Sequence, residues 1–340
     1  MQDNLNSSYK ISKFSHLFQR ENDLQLLHSI IMKPLKLDKE AYDVFKSFAG
    51  GTKAIEIVKK NKKSKNLIKH LISERFLVNE KINEVEVLRK WAKEKADIEG
   101  LLIMYILPTD KCNYQCKYCF IENSVGSNYK FSKMNKRIIR KGVDFFAQNA
   151  PKNKSLSQEI IFYGGEPLMN PEIVLEGIKF TRENYPEIKI NMITNGSLMT
   201  PKIASFIAKN NVGASISLDG PEEINNKLRV FTNGSGSYNE AVRGYNMLKN
   251  AECNEVGISF TLANHNVPNL KQNIEKICED LEPTGFGFNF LIDPLNNKNH
   301  FSLPMKYVTE QAIEAFKFLR EKGIYEDRMM RKIKPFIKGA

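Results

Sequence analysis

Three of the five cysteines fall in one short stretch of the chain, at Cys112, Cys116 and Cys119. Three residues separate the first pair and two separate the second, so one loop can present three thiolates to one iron–sulfur cluster. A structural zinc site usually has four protein ligands, and the other cysteines, Cys253 and Cys278, are distant in sequence. Three thiolates on a four-iron cluster leave one iron open to an outside ligand. The alternative is a zinc ion with a remote fourth ligand.

Short apolar runs alternate along the chain with longer segments of helical spacing. The strands and helices that this pattern predicts must position the cysteine loop. The runs predict six strands, at residues 102–107, 159–163, 188–194, 213–218, 257–262 and 286–292. The segments between and after them predict helices at 135–148, 171–184, 201–210, 238–250, 267–281 and 304–322. Buried strands that alternate with helices are typical of βαβ units and a parallel sheet. Six units favour a partial barrel over a closed eight-stranded one.

Polar motifs follow five of the six predicted strands. The cysteine segment follows the first strand, and YGGEP (163–167) follows the second. TNG (194–196) ends the third strand, SLDGP (217–221) the fourth, and Asp293 comes after the sixth. Loops at the carboxyl ends of parallel strands open on one face of the sheet. The sequence therefore predicts that these motifs surround one cavity, which would be an active site.

The cysteine motif resembles that of the radical S-adenosylmethionine (SAM) enzymes, which often have an aromatic residue before the third cysteine, here Tyr118. The GGEP run at 164–167 looks like the family's motif for the methionyl amino group of SAM. The run SLDGPEEINNKLR (217–229) is similar to one in the peptide-modifying branch. This resemblance covers residues 100–340. It implies an α/β fold, a partial (β/α)6 barrel, with a [4Fe-4S] cluster on the three cysteines and SAM as the second cofactor.

The resemblance also implies a set of SAM-binding residues. They are Tyr118, Gly164, Gly165, Glu166, Asn195, Ser217, Arg229 and the main chain around Leu291. The glycines would let the ligand approach the backbone, and the Glu166 carboxylate would bind the ammonium group. Ser217 and Arg229 resemble the family's residues for the ribose and carboxylate. Each of these residues could instead have a structural role. Asn195 and Gly196, for example, form a common turn dipeptide. Asp293 is a candidate for substrate contact or a turn residue.

The implied chemistry is reductive cleavage of SAM followed by abstraction of hydrogen from a substrate. The electron would come from a low-potential donor such as a ferredoxin or flavodoxin, which are usually acidic. The chain has 51 Lys and Arg against 39 Asp and Glu, a net charge of +12. A basic surface of this kind suits docking of an acidic partner, although lysine-rich faces are more often simply solvated.

The first 98 residues have a different pattern. Strands are predicted at 9–18 and 24–37, the second interrupted at Pro34, and helices at 38–49, 52–60 and 64–77. This small α+β unit is winged-helix-like and resembles the domain that binds leader peptides of ribosomally made, modified peptides. It would hold a precursor peptide by strand addition. Structural packing and nucleic-acid binding are alternatives, but the polar residues of 64–77 are few and mixed, which argues against nucleic acid.

Composition sets limits on the class of protein. The 340 residues are 41% hydrophobic and 26% charged, which excludes a collagen, a long disordered chain and a disulfide-dense miniprotein. No apolar run is long enough to span a membrane and no secretion signal is visible, so we expect a cytoplasmic protein. Four domains or connecting segments are predicted. They are a peptide-recognition-like domain (1–83), a helical linker (84–99), the barrel (100–325) and a connector (326–340).

The connector would lead to the C-terminal domain, with further iron–sulfur clusters, that peptide-modifying members of the family carry. A truncated chain and a naturally short form both remain open. The functional hypothesis is a radical SAM maturase that forms a thioether or another crosslink in a ribosomally made peptide. One alternative is an anaerobic sulfatase-maturating enzyme that generates formylglycine. Another is a metal-stabilised nucleic-acid-binding protein without catalysis.

Overall fold

The computed structural model describes residues 5–20, 23–31, 33–96, 100–119, 121, 129–152, 156–291, 301 and 303–338. The chain divides into two compact units, which are described separately. One consists of Met1–Ile98 with Arg331–Ala340, and the other is Glu99–Met330. The functional roles assigned to the ranges 1–83, 84–99, 100–325 and 326–340 stay predictions.

The first unit contains two antiparallel sheets of three strands each. In one sheet β1 (Ser8–Ile11) lies between β5 (Thr52–Lys53) and β6 (Leu77–Asn79). The other sheet consists of β2 (Ser15–Arg20), β3 (Asp23–His28) and β4 (Lys33–Leu37), in that order.

Each strand predicted in this unit is in fact two strands. The first is divided by a turn in which the Ser15 N–H donates to the Ser12 carbonyl at 3.0 Å. The second is divided before Lys33, and not at Pro34 as predicted. Pro34 lies inside β4 because β4 is an edge strand, where a missing N–H leaves no ladder bond unmade.

Four helices complete the first unit: α1 (Lys39–Lys46), α2 (Ala54–Lys60), α3 (Ser64–Ser73) and α4 (Glu84–Ala96). Asp38 caps α1 by accepting a hydrogen bond from the Ala41 N–H at 2.7 Å. The apolar faces of α1, α2 and α3 share one core with residues of both sheets, which includes Leu26, Phe48 and Ile68. The predicted small α+β unit is therefore confirmed.

A buried histidine makes the stability of this unit dependent on pH. The Ile31 N–H donates to His28 Nδ1 at 3.4 Å, so the ring proton lies on Nε2, 3.3 Å from the Ser12 hydroxyl. Ser12 in turn donates to Glu84 at 2.5 Å. Burial lowers the pKa of His28, and the nearby Arg75 and His16 lower it further, against the attraction of Glu84.

We expect the first unit to lose stability as the pH falls below about 6.5, where the unfolded histidine gains a proton that the folded one resists. Hydrogen exchange of its backbone amides at pH values of about 8 and about 5 measures this change. His28→Gln should flatten the dependence, whereas His70→Gln, at an exposed position, should leave it unaltered. If the stability of His28→Gln fell with pH as steeply as that of the wild type, the assignment of this pH dependence to His28 would be contradicted.

The second unit is built on a seven-stranded sheet in which every neighbouring pair is parallel. From one edge to the other the strands follow chain order. They are β7 (Ile103–Ile106), β8 (Glu159–Phe162), β9 (Lys189–Thr194), β10 (Gly213–Ser217), β11 (Val256–Leu262), β12 (Gly285–Phe290) and β13 (Tyr325–Glu326). All six predicted strands are present. The two-residue strand β13 is additional and was too short to show an apolar pattern.

The helices of this unit follow the predicted segments closely. They are α5 (Lys136–Gln148), α6 (Pro171–Asn184), α7 (Pro201–Lys209), α8 (Glu222–Leu228), α9 (Tyr238–Asn250), α10 (Leu270–Leu281), α11 (Met305–Glu321) and α12 (Asp327–Lys338). Short 3₁₀ turns occupy Pro167–Met169 and Val267–Asn269. The short helix α8 was not predicted, nor was α12, whose residues from Arg331 onward belong to the first unit. The α/β fold class of a partial barrel with a small preceding domain is confirmed.

Strand alternation determines which side chains face the site. In β11, Val256, Ile258 and Phe260 are buried in the core that the helices share. The intervening Ser259 and Thr261 line a cavity. Successive side chains point to opposite faces of a strand, so one face packs and the other is available for chemistry. No helix in the described ranges is long and apolar enough to cross a membrane.

Candidate active site

A cavity of about 770 Å³ lies at the carboxyl ends of the parallel strands. Its volume is within the range of small-molecule sites. The structure brings together in its lining every predicted cluster and SAM residue. These are Cys112, Cys116, Cys119, Tyr118, Gly164, Gly165, Glu166, Asn195, Ser217, Arg229 and Leu291. Asp293, the predicted substrate contact, lies outside the described residues.

The cysteine loop is attached along one side to the segment that carries Arg229. The Gln115 N–H donates to the Val230 carbonyl at 2.8 Å, and the Lys117 N–H donates to the Leu228 carbonyl at 2.9 Å. Beside these bonds the ring of Tyr114 packs edge-on against Phe231, with centroids 4.6 Å apart. The loop is therefore fixed by the fold before any metal binds.

Two thiols of this loop, those of Cys112 and Cys116, are partly buried. Burial raises the pKa of Cys112 to about 12 and that of Cys116 to about 11. Both are therefore protonated at neutral pH, and metal binding must displace their protons. No three His, Cys, Asp or Glu side chains of the described residues converge as ligands of a single ion. A four-iron cluster does not require such convergence, because each thiolate binds a different iron.

The two glycines of the GGEP run pack against the backbone that leads into Cys112. A Cβ at Gly164 would lie 2.4 Å from the Thr109 carbonyl oxygen, and one at Gly165 would lie 2.3 Å from that of Lys111. Gly164 also has a φ of +135°, which L-residues with side chains rarely adopt. On the side where a Cβ would lie, the space at each glycine is filled by the chain itself, while both residues also line the cavity, and their contact with a ligand stays a prediction. The glycines let two loops approach each other.

Gly165→Ala should therefore disturb the cysteine loop and not only the ligand. We expect a loss of about 1–3 kcal/mol in the free energy of unfolding, typical of overpacking, together with reduced iron content after anaerobic reconstitution. Gly142→Ala is the matched control, because nothing lies within 4 Å of a Cβ there and alanine favours its helix, α5. Normal iron content in Gly165→Ala would contradict this interpretation.

Glu166 connects its own loop to the end of β9 through its buried carboxylate. Its Oε1 accepts hydrogen bonds from the Thr194 hydroxyl at 2.6 Å and the Leu168 N–H at 3.0 Å, and Oε2 accepts from the Asn195 N–H at 2.7 Å. Burial raises the pKa of Glu166, and these bonds oppose the rise by stabilising the charged form. A carboxylate has about four acceptor sites, so about one is left for an outside donor. The predicted contact with the SAM ammonium stays a prediction.

Asn195 lies beside the first cysteine. Its side-chain N–H group donates to the Asn113 amide oxygen at 2.9 Å and approaches the Cys112 sulfur at 3.9 Å. Its own amide oxygen accepts from the Ser197 N–H at 3.0 Å. The side chain is thus held by the loop that follows β9, and its N–H group is directed at the cluster-binding loop.

A buried group of three side chains lies behind the third cysteine. The Tyr118 hydroxyl donates to the Asp219 carboxylate and accepts from Arg229 Nη1 at 2.7 Å. Arg229 also lies 3.7 Å from the Asp219 carboxylate. The other oxygen of Asp219 accepts from the Thr261 N–H at 2.9 Å. Asp219 was not predicted as a site residue, although it lies within the SLDGP run. Its contacts position Tyr118 and Arg229, which were predicted as site residues.

Arg229 retains a donor without a partner among the described residues. Its Nε is buried, and it belongs to a side chain that lines the cavity and is only 10% exposed. Burial lowers the pKa of this guanidinium, but Tyr118, Cys116 and Asp219 raise it by more. A buried, charged donor that lacks an acceptor fits an anionic ligand group such as a carboxylate.

The remaining predicted residues complete the wall of the cavity. Ser217 ends β10 in register with Ser259 of β11, and both side chains line the cavity. Leu291 belongs to a small apolar cluster with Tyr118 and Cys116. The cavity thus joins three thiols, an arginine with an unpaired donor, hydroxyl groups and an apolar wall.

Comparison with known proteins agrees with this geometry. The family model described as the Radical SAM superfamily matches residues 106–281, just over half of the chain. The chain belongs to the radical SAM superfamily. As a radical SAM enzyme it uses a [4Fe-4S] cluster and SAM, as predicted, and this favours catalysis over the alternative of a binding protein without it. The three clustered thiols and the unpaired Arg229 donor fit these two groups.

Individual relatives include enzymes that act on different substrates. The radical SAM cyclopropyl synthase TigE of Paramaledivibacter caminithermalis is 27% identical over 85% of this chain and 66% of its own length. The cysteine-type anaerobic sulfatase-maturating enzyme of Clostridium novyi is 28% identical over 58% of this chain and 53% of its own. The chain therefore spans between about half and two thirds of the length of these relatives.

Among solved structures, Streptococcus suis SuiB bound to its precursor peptide SuiA is similar in fold. It has a TM-score of 0.55 and 12% identity, and the alignment covers 96% of this chain and 75% of SuiB. SuiB has also been solved with bound SAM. The similarity of fold therefore extends over both units of this radical SAM protein.

Proposed function

We propose that this protein is a radical SAM maturase that abstracts hydrogen from a ribosomally made peptide and forms a thioether or another crosslink. The observation that supports this most is the fold similarity to SuiB, a protein solved with a precursor peptide, over 96% of the chain. It includes the first unit, which a barrel alone would not need.

Within the cavity, each predicted residue has a task that its surroundings suit. Cys112, Cys116 and Cys119 would hold the cluster. The unpaired Nε of Arg229 would bind the SAM carboxylate, and the remaining acceptor site of Glu166 its ammonium group. When bound, the cluster and SAM supply the electron transfer and the carbon radical that attacks the substrate.

Ser217 and Leu291 would position the nucleoside part of SAM. The Ser217 hydroxyl lines the cavity at the end of β10 and would bind the ribose. The main chain around Leu291 would contact the adenine beside the apolar cluster that includes Tyr118. Asn195 would orient the loop of Cys112 through its contact with that sulfur. Together these contacts hold the ligand and exclude water from the reacting groups.

Two partners follow from this proposal. The first unit would bind the leader of the precursor peptide by strand addition at a sheet edge, since both of its sheets have edge strands. A low-potential ferredoxin or flavodoxin would supply the electron, and the net charge of +12 favours an acidic partner. Residues 1–98 carry 20 Lys and Arg against 13 Asp and Glu, which would also attract an acidic leader.

The second candidate function is anaerobic sulfatase maturation, which the similarity to the Clostridium novyi enzyme favours. That similarity extends over 58% of this chain, whereas TigE matches 85% of it.

Coexpression separates the two candidates. The protein is produced anaerobically with each short reading frame that flanks its gene, and the peptides are analysed by mass spectrometry. We expect loss of hydrogen atoms from one such peptide, with a crosslink located by fragmentation, and no change in a variant with all three cluster cysteines replaced. Formylglycine in a coexpressed sulfatase, with every peptide unmodified, would favour the second candidate and contradict the first.

A further inference from the structure

Arg328 lies at the opposite edge of the sheet from the cysteine loop and lines the same cavity. The cysteines follow β7, one edge strand, and Arg328 follows β13, the other. Lining residues come from strands between these edges too, so the sheet curves around the space that they share. Part of the cavity is therefore formed by residues that the cluster and SAM assignments do not use.

Polar neighbours hold this arginine in place. Its Nη2 donates to the Asn289 amide oxygen at 3.1 Å, and the Asn289 amide N–H group donates to the Ser259 hydroxyl at 2.9 Å. The backbone N–H of Arg328 donates to the buried carboxylate of Glu326 at 3.1 Å, and that carboxylate also accepts from the Phe288 N–H at 2.9 Å. The start of α12 is thereby fixed to β12.

No described residue neutralises the guanidinium of Arg328. Within the part of the chain that the structure describes, no Asp or Glu carboxylate lies within 4.0 Å of it, and Asn289 is its one hydrogen-bond acceptor. The other lining arginine, Arg229, is by contrast close to Asp219. A half-buried guanidinium that lines a cavity and makes one hydrogen bond to the described residues through its five N–H donors suits a carboxylate, which it can bind through two parallel hydrogen bonds.

We propose that Arg328, positioned by Asn289 and Ser259, binds a carboxylate of the substrate, supplied by an Asp or Glu side chain near the modified residue of the peptide. This inference rests on the proposed function and adds a substrate class to it. The position at the far edge of the sheet favours substrate over SAM, whose carboxylate has a candidate donor in Arg229. An acidic side chain bound at Arg328 would fix the register of the peptide against the reacting groups.

The experiment uses the full chain with its cluster reconstituted and SAM bound. The probes are N-acetylglutamate amide and its neutral isostere N-acetylglutamine amide, and ligand-observed NMR measures their dissociation constants. We expect the acidic probe to bind about tenfold more tightly, as hydrogen bonds to charged groups predict. Arg328→Gln should abolish the preference and Arg328→Lys should reduce it. Arg137→Gln, which removes an exposed arginine of α5, should preserve it.

Electron paramagnetic resonance of the reduced cluster, with and without SAM, distinguishes failure of this inference from failure of the proposed function. Arg328→Gln should retain the change that SAM causes in the spectrum. An acidic preference that survives in Arg328→Gln, or no preference in the wild type, overturns the inference and leaves the proposed function standing. Loss of the SAM effect in Arg328→Gln would assign this arginine to the cofactor and also overturn it. Absence of the SAM effect in the wild type overturns the proposed function itself.

Discussion

Cys116→Ala is expected to reduce bound iron and SAM cleavage to background levels. Cys116 lies in the middle of the cysteine loop, and the only other cysteines among the described residues that line the cavity are Cys112 and Cys119, which are already predicted ligands. With two thiolates left, the remaining ligands cannot retain a four-iron cluster in this site. Iron analysis after anaerobic reconstitution, and 5′-deoxyadenosine formation with dithionite and SAM, measure the two effects.

Cys278→Ala is the matched control for this variant. Cys278 lies in α10 and packs against the core, and burial raises the pKa of its thiol to about 11 as well. Its replacement removes a similarly protected thiol that does not line the cavity, and iron content should stay at about four per chain. Equal losses in both variants would show that the loop of Cys116 is not the cluster site.

Asp219→Ala is expected to lower the free energy of unfolding by about 3–5 kcal/mol, because it leaves Arg229 buried without its carboxylate partner. The Tyr118 hydroxyl and the Thr261 N–H also lose this carboxylate as their hydrogen-bond acceptor. Since Arg229 is the candidate SAM carboxylate ligand, binding of SAM should weaken too. Denaturant unfolding followed by circular dichroism measures the stability, and SAM titration of the reconstituted protein measures the binding.

Tyr118→Phe separates the charge pair from the hydroxyl between its partners. It removes the hydrogen bonds of Tyr118 but leaves Asp219 and Arg229 3.7 Å apart, so we expect a smaller loss, about 1–3 kcal/mol. If Tyr118→Phe were as destabilising as Asp219→Ala, the ion pair would not be the principal source of stability in this group.

The strands and the location of the site could be predicted because their determinants are local. Each parallel strand is a short apolar run, and each functional motif directly follows one, so chain order alone places the motifs at one edge of the sheet. The cysteine spacing also carries its meaning without any tertiary context. For these reasons Cys112, Glu166 and Arg229 lie in one cavity, as expected.

The interactions between loops could not be predicted in this way. That Gly165 touches the Lys111 carbonyl, or that Asp219 accepts from Tyr118, depends on the distance between segments far apart in sequence. The packing of both glycines against the cysteine loop was not expected for the same reason, and their predicted contact with a ligand stays a prediction. Arg328 was read as part of a connector because β13, which carries it to the cavity, is only two residues long.

The most direct test of the whole account is the paramagnetic resonance spectrum of the iron-loaded, dithionite-reduced protein before and after addition of SAM. Three protein thiolates leave one iron without a side-chain ligand, so SAM should bind there and change the spectrum of the reduced cluster, with 5′-deoxyadenosine formed on turnover. A spectrum that SAM leaves unaltered, from a protein with every iron bound by side chains, would contradict the account.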